Sequence, residues 1–267
     1  EGNMLQVIFF ALVFGFSMAA LGEKVQNVRT LIEQLNEIVM KMIMVVMATA
    51  PFGVFALVAN VFAKEGFSAF VPLMKYIICV TVALLIQFSV TYGLALKIFA
   101  RLSLITFIKK FYSTMLVAFS TASSNATLPV TMETAEKEMG VSNKIASFTL
   151  PLGATVNMDG TAIMQGCAVV FISQVYGIDL SLTALLTVVL TATIASIGTA
   201  GVPSVGLITL SMVLTQAGLP VEGIALIMGI DRILDMMRTA VNISGDTVVT
   251  LIVAKSEGEL DESVFNQ

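Results

Sequence analysis

The stretch from Gly223 to Lys255 constrains this chain more than any other. It is one long apolar run, yet it carries Asp231, Asp235, Arg238, Asn242 and Asp246. Successive helical residues turn by about 100°, so these five positions and Thr239 fall within an arc of roughly 100°. The result is a polar stripe on an otherwise apolar helix. An ionised side chain in hydrocarbon costs about 2.5–3.5 kcal/mol on insertion scales. A sequence accepts that cost for a pore, a proton relay or a ligand site. The bland alternative is the solvated face of a soluble helix. The rest of the chain is too apolar for that reading, with 57% hydrophobic and only 12% charged residues, about half the charge of a soluble domain.

These features imply an all-α, multi-spanning membrane protein, with the lipid bilayer as its main partner. The formal charge of −4 and the lack of a Lys/Arg block argue against nucleic acid. Histidine is absent, so a proton relay would run on carboxylates. Cys79 and Cys167 lie in apolar runs without metal-ligand spacing and are expected to be buried thiols. The first residues, Glu1-Gly2-Asn3, enter an apolar helix with neither a start methionine nor a cleavable signal. We therefore expect an N-terminal part to precede residue 1.

Met4 to Leu21 is long enough to span. Gly22 to Glu37 is polar and helix-prone, Val39 to Ala63 is a second span with a kink at Pro51, and Phe70 to Phe99 a third. Lys97, Arg101, Lys109 and Lys110 mark the following loop as cytoplasmic, and Lys24 and Arg29 mark the earlier one on the same side. Phe111 to Phe119 is too short to cross and breaks over Ser120 to Pro129. A second short helix then ends in a charged stretch, Glu133 to Lys144, that is again basic enough for the cytoplasm. This reads as a re-entrant hairpin, whose polar tip is allowed at membrane depth only if protein covers it or it lines a cavity. A kinked ordinary helix is the alternative. Ile145 to Val175 is interrupted by Asn157-Met158-Asp159-Gly160-Thr161, residues that form helix poorly. The broken helix leaves free carbonyls beside a carboxylate, an arrangement that coordinates cations in transporters. A structural kink alone is the alternative. Leu182 to Ile197 breaks at Gly198 to Gly206 and returns as Ile208 to Leu214, a second hairpin entering from the other side. Hairpin then helix, twice and with opposite entry, is the pattern of an inverted repeat with a midplane site.

Inside the membrane Asp159, Asp231, Asp235 and Asp246 stand against Arg232 and Arg238, an excess of two negative charges. Cations or protons should balance them, and hard cations such as sodium favour the oxygen-rich breaks. Arg238 offers a planar fork for a carboxylate. Asp235, three residues earlier, suits an ammonium. Together they fit a zwitterion with an additional carboxylate. An internal Arg238–Asp235 or Arg238–Asp231 pair is the alternative, compatible with a pair that opens for substrate.

Four ordered motifs then carry a resemblance: Ser123-Ser124-Asn125 with Thr127-Leu128-Pro129; Asn157 to Thr161; Ser196-Ile197-Gly198-Thr199-Ala200-Gly201-Val202-Pro203; and Asp231…Asp235…Arg238-Thr239…Asn242…Gly245-Asp246. Across essentially the whole chain the sequence resembles the glutamate transporter family, the dicarboxylate/amino acid:cation symporters. The resemblance implies a glutamate-transporter-like fold and a trimer whose protomers each move a transport domain against a scaffold. In this scheme 1–100 is partial scaffold and connecting helices, 101–256 the transport domain, and 257–267 an acidic, solvated cytoplasmic tail. It implies that Arg238 holds the substrate side-chain carboxylate and Asp235 its amino group. Thr161, Thr239, Asn242, Ser124 and the backbone at Val202 and Gly206 complete the pocket. Sodium would use Gly153, Asn157, Asn242 and Asp246 at one site, and carbonyls of Thr155, Ser196, Ile197 and Thr199 at a second. Asn157 and Asp159 would contribute to a third.

Members of that family often carry an arginine where this chain has Ala122 or Met236, and here Arg232 stands one turn earlier. Proton-coupled members tend to replace the residue matching Asp246 and to alter the Asn157–Thr161 motif. Both are intact, which favours sodium. The expectation is a sodium-coupled symporter of glutamate or aspartate. Its rivals are a proton-coupled or C4-dicarboxylate symporter of the same fold and, further off, an ion channel. An intramembrane enzyme has no histidine, nucleophile elbow or metal cluster to support it.

Overall fold

The computed structural model describes residues 4–47, 49, 52, 53, 55, 56, 59, 70–197 and 199–266. The chain divides into two compact units, Glu1–Lys64 and Glu65–Gln267. In the first, α1 (Met4–Leu21) and α2 (Gln26–Met47) are joined by a 3-10 turn over Gly22–Val25. Phe9, Phe10 and Phe16 of α1 are exposed, an outward apolar face of the kind lipid or further protein covers. The turn and α2 carry the polar residues, among them an exposed Arg29–Glu33 pair at 2.9 Å. Most of the expected span beyond Met47, with the kink at Pro51, falls outside the described residues.

The second unit begins with α3 (Phe70–Ile86), which continues through π-helical Gln87–Tyr92, α-helical Gly93–Ala95 and π-helical Leu96–Ala100. There follow α4 (Leu104–Thr121), α5 (Ser124–Lys137), α6 (Asn143–Val156), α7 (Asp159–Val175), α8 (Leu182–Ile197), α9 (Val205–Gln216), α10 (Ile224–Ser256) and the short α11 (Glu262–Asn266). Three stretches of the described residues are long and apolar enough to cross a membrane: Phe9–Val39, Val71–Ala100 and Asn143–Val175. α10 is the axis of the unit, packing against α3, α4, α6 and α7, while α4 pairs with α5 and α8 with α9.

The breaks are shorter than the sequence suggests. The ten-residue interruption expected over Ser120 to Pro129 narrows to Ala122 and Ser123. Ala122 adopts a left-handed φ of 50°, and the Ser123 hydroxyl caps α5 by accepting from the Ala126 N–H at 3.1 Å. Pro129 sits inside α5. The break in the next helix narrows likewise to Asn157 and Met158. Asp159 is already the first residue of α7 and accepts from the Gly160 N–H at 2.9 Å, where a carboxylate complements the helix dipole. Polar residues here satisfy the orphan donors of a helix start, so they belong to the helices rather than to long loops.

Two further expectations are corrected. Cys79 is exposed and Cys167 half-buried. Their Sγ atoms lie 3.9 Å apart, joining α3 to α7 on an outward-facing surface. The tail beyond Ser256 is not simply solvated. Asp261 N donates to Gly140 O at 2.8 Å and Ser142 N to Glu259 O at 3.0 Å. The Lys110 ammonium donates to the carbonyls of Glu138, at 2.9 Å, and Val264, at 2.8 Å. The Lys144 ammonium donates to Glu259 at 3.2 Å and holds its carboxyl below the ordinary range. Gly140 turns at φ +74°, and a Cβ there would run into the Asp261 carbonyl. Phe265 closes the arrangement, fully buried. Acidic composition hid one aromatic anchor.

Phe265→Ala removes that anchor. We expect a loss of about 3 kcal/mol, seen as a lowered midpoint in thermal unfolding of the detergent-solubilised protein. An unchanged midpoint would show that the tail adds nothing to the fold.

Candidate functional site

α10 delivers the polar stripe to the centre of the second unit. Asp231, Asp235, Arg238, Thr239, Asn242 and Asp246 are all buried. The Arg238 guanidinium meets two carboxylates: Nη1 donates to Asp231 Oδ1 at 2.8 Å, and Nη2 lies 2.9 Å from Asp235 Oδ1. The internal pairing weighed from the sequence is therefore present with both partners. Arg232 is exposed and off the stripe, because it lies about 100° round the helix from Asp231. The buried count is thus more lopsided than expected, with Arg238 the one guanidinium against Asp231, Asp235, Asp246 and the largely covered Asp159.

Both interhelical tips reach this helix. Asp235 Oδ2 accepts from the Ser204 N–H at 2.7 Å, and Ser204 holds a left-handed φ of 63°. One tip meets the other through the Gly201 carbonyl, which accepts from Ser123 Oγ at 2.7 Å and from Asn125 N–H at 3.1 Å. A Cβ on Gly201 would lie 2.8 Å from Asn125 Oδ1 and 3.2 Å from the Asn125 backbone nitrogen, so a larger residue crowds the approach. The expected substrate residues Ser124, Thr161, Val202, Gly206, Asp235, Arg238, Thr239 and Asn242 all line one cavity, joined by Ala122, Met158 and Thr199. Its volume is only about 10 Å³, roughly the room of a single water.

The candidate cation residues fall into two groups. Around the α6–α7 break, Asn157 Nδ2 donates to Asp246 Oδ1 at 2.9 Å and reaches the Asn242 carbonyl at 3.4 Å. A Cβ on Gly153 would lie 2.7 Å from Asp246 Oδ1. Gly153, Asn157, Asn242 and Asp246 are thus one cluster. Asn242 Oδ1 also accepts from the Gly160 N–H at 2.8 Å, tying α10 to the start of α7. Asp159 lies beside that cluster, since the Tyr92 hydroxyl that meets it and Asn157 Nδ2 both come within 2.6 Å of where a Cβ on Gly245 would sit. Its Oδ2 accepts from Gln87 Nε2 at 2.7 Å and from the Tyr92 hydroxyl. The second group is less assembled. Ser196 O accepts from Thr199 N at 3.0 Å, Thr155 is exposed, Ile197 is half-buried, and α6 and α8 are in contact. The described residues hold no cluster of three His, Cys, Asp or Glu side chains. A cation here would rest on one carboxylate with amide and backbone oxygens, a hard-ligand set.

Gln87 and Tyr92 were not read from the sequence as site residues. They lie on α3, which reads as a plain apolar span. The signal available was a Gln inside an apolar run, facing an intramembrane acid with no assigned partner.

A family model described as the sodium:dicarboxylate symporter family matches residues 1–256. The chain is 40% identical over 266 residues to a proton/sodium-glutamate symport protein of Bacillus caldotenax, covering all of this chain and 63% of that protein. It is 40% identical over 262 residues to excitatory amino acid transporter 3 of Mus musculus, covering 97% and 50%. It is 39% identical over 262 residues to the proton/glutamate-aspartate symporter of Escherichia coli K12, covering 98% and 60%. The chain thus spans about half to two thirds of the length of these relatives.

Tyr92→Phe takes one donor from the largely covered Asp159 carboxylate. We expect about 1–3 kcal/mol of destabilisation with the helices intact, read from thermal unfolding beside circular dichroism. Unaltered stability would mean that the hydroxyl does not serve Asp159.

Proposed function

The chain belongs to the sodium:dicarboxylate symporter family, a membrane transporter family, and from that premise we propose that it couples sodium to the uptake of glutamate or aspartate. The observation that carries this reading is the Arg238 guanidinium, buried between Asp231 and Asp235 in a cavity walled by both interhelical tips. A guanidinium held by two internal carboxylates is a carboxylate receptor with its competitor already bound. The substrate side-chain carboxylate replaces an aspartate on Arg238, and its ammonium takes Asp235. Thr161, Thr239, Asn242, Ser124 and the backbone at Val202 and Gly206 complete the shell. The names of the relatives, which include glutamate and aspartate symporters, support the same substrate class.

An amino acid does not fit a cavity of about 10 Å³, so a wall must move. The loop from Thr199 to Ser204 is that wall. Its opening breaks the Ser204–Asp235 hydrogen bond and the two bonds to the Gly201 carbonyl. Sodium at Gly153, Asn157, Asn242 and Asp246, with a second ion on the carbonyls of Thr155, Ser196, Ile197 and Thr199, offsets the buried negative charge. A third ion draws on Asn157 and Asp159. A ligand moves such an equilibrium only through differential affinity for the open and closed arrangements, so ion and substrate together favour closure. In this reading α4–α5 and α8–α9 are re-entrant hairpins of an inverted repeat in a multi-pass protein of the plasma or inner membrane. Residues 101–256 move as the transport domain, 1–100 contribute scaffold and connecting helices, and three protomers form the assembly.

Arg238→Cys tests the substrate assignment. Removing one partner of a buried charge pair costs about 2–5 kcal/mol, so binding of glutamate and aspartate should weaken by at least about 30-fold. Small neutral amino acids gain access, and their binding shows that the variant is folded. Undiminished acidic substrate affinity would overturn the assignment.

Asp246→Asn tests the ion. Substrate affinity should need several-fold more sodium, with near-normal affinity at saturation. Uptake of labelled aspartate into proteoliposomes, under imposed sodium or proton gradients, measures this. Dependence on the proton gradient alone would move the protein to proton coupling.

A further inference from the structure

α3 ends in a turn wider than an α-helix. Its last turn is π-helical, Leu102 N reaches back to the Leu96 carbonyl at 3.1 Å, and Arg101 takes a left-handed φ of 57°. A side chain other than glycine held there is strained, and strain of this kind gathers at ligand clamps. The chain then reverses into α4, leaving a groove of about 770 Å³ between the two helices. That volume lies in the range of small-molecule sites. Its walls are Val90, Leu94, Leu104 and Ile105, and Lys97 and Arg101 also line it. Both cations are exposed, and among the described residues neither makes an ion pair. Lys110, on the neighbouring turn of α4, is by contrast occupied by two carbonyls. Because both line the same groove, the two charges can face a single ligand.

We propose that this groove binds one anionic phospholipid, its phosphate between Lys97 and Arg101 and an acyl chain along Val90, Leu94 and Ile105. An apolar groove in a membrane protein is filled with chain as a matter of course. What selects the lipid is the headgroup end, where two unpaired cations meet the membrane surface and favour negative charge. A dissolved phosphate would use the cations but leave the apolar walls idle. A zwitterionic lipid would use the walls but carries its own ammonium to the two charges. The proposal rests on the membrane reading above and not on the transport assignment.

The test uses full-length protein in nanodiscs of phosphatidylcholine with a minor fraction of phosphatidylglycerol, followed by native mass spectrometry. Phosphatidylglycerol should stay bound in preference to phosphatidylcholine. Lys97→Gln and Arg101→Gln should each weaken retention about fivefold, the factor corresponding to about 1 kcal/mol per basic residue at an anionic surface. Val90→Trp, which fills the groove without altering charge, should abolish retention, whereas Lys109→Gln, outside the groove, should not change it. A photoactivatable acyl chain on phosphatidylglycerol should label residues between 90 and 105. Equal retention of the two lipids, insensitivity to Lys97 and Arg101, or labelling elsewhere would each overturn the proposal. So would equal protection by inorganic phosphate, which would make this a free-anion site. Absence of sodium-coupled uptake by the unaltered protein, with lipid retention intact, would instead count against the transport reading alone.

Discussion

A guanidinium out of water needs partners, and everything around Arg238 follows from that need. Bringing two charges into a low-dielectric interior costs several kcal/mol per ion, recovered only by excellent geometry and further hydrogen bonds. Here Asp231 and Asp235 lie seven and three residues before Arg238, so one helix face supplies both counter-charges. The spare oxygen of Asp235 then needs a donor and finds it in the Ser204 backbone. The position of the α8–α9 connection is thus a consequence of charge satisfaction on α10.

The same demand explains why small residues gather at the crossing. A Cβ on Gly245 would lie 2.5 Å from the Tyr92 hydroxyl and 2.6 Å from Asn157 Nδ2. Without glycine, α3 and the α6–α7 break could not both reach α10. Polar groups inside hydrocarbon must be satisfied by protein. Close helix approach is what brings donors such as Tyr92 and Asn157 within range of the carboxylates. The internal pairs also set the character of any ligand exchange: a guest on Arg238 gains only the difference between its own contacts and those it displaces, which keeps release as accessible as capture.

The polar stripe was legible because one helix of 33 residues repeats its polar positions at helical spacing, in a chain too apolar for that face to be solvated. The two helix–loop–helix pairs and the broken helix were legible from polar residues interrupting apolar runs. Their boundaries were not. Ser, Asn and Asp mark a helix start as readily as a loop, so Ser124 and Asp159 turned out to open helices. Partners that are backbone groups, such as Ser204 N and the Gly201 carbonyl, leave no compositional trace. Tyr92 and Gln87 were hidden in a span that reads as plain, and Phe265 in an acidic tail, since a single buried residue makes no periodicity.

The Gly201 carbonyl, taking two hydrogen bonds from the opposite tip, decides how this site responds to substitution. Half of that clasp is main chain, so no change of side chain at 201 can delete it. Such a change can only crowd it against Asn125. Asn125 contributes its own amide as well, leaving Ser123 as the one partner whose hydroxyl a mutation can remove outright. Drift at this junction is therefore asymmetric: any side chain at 201 presses on Asn125, while 123 can lose a bond and still leave the tips joined through the backbone.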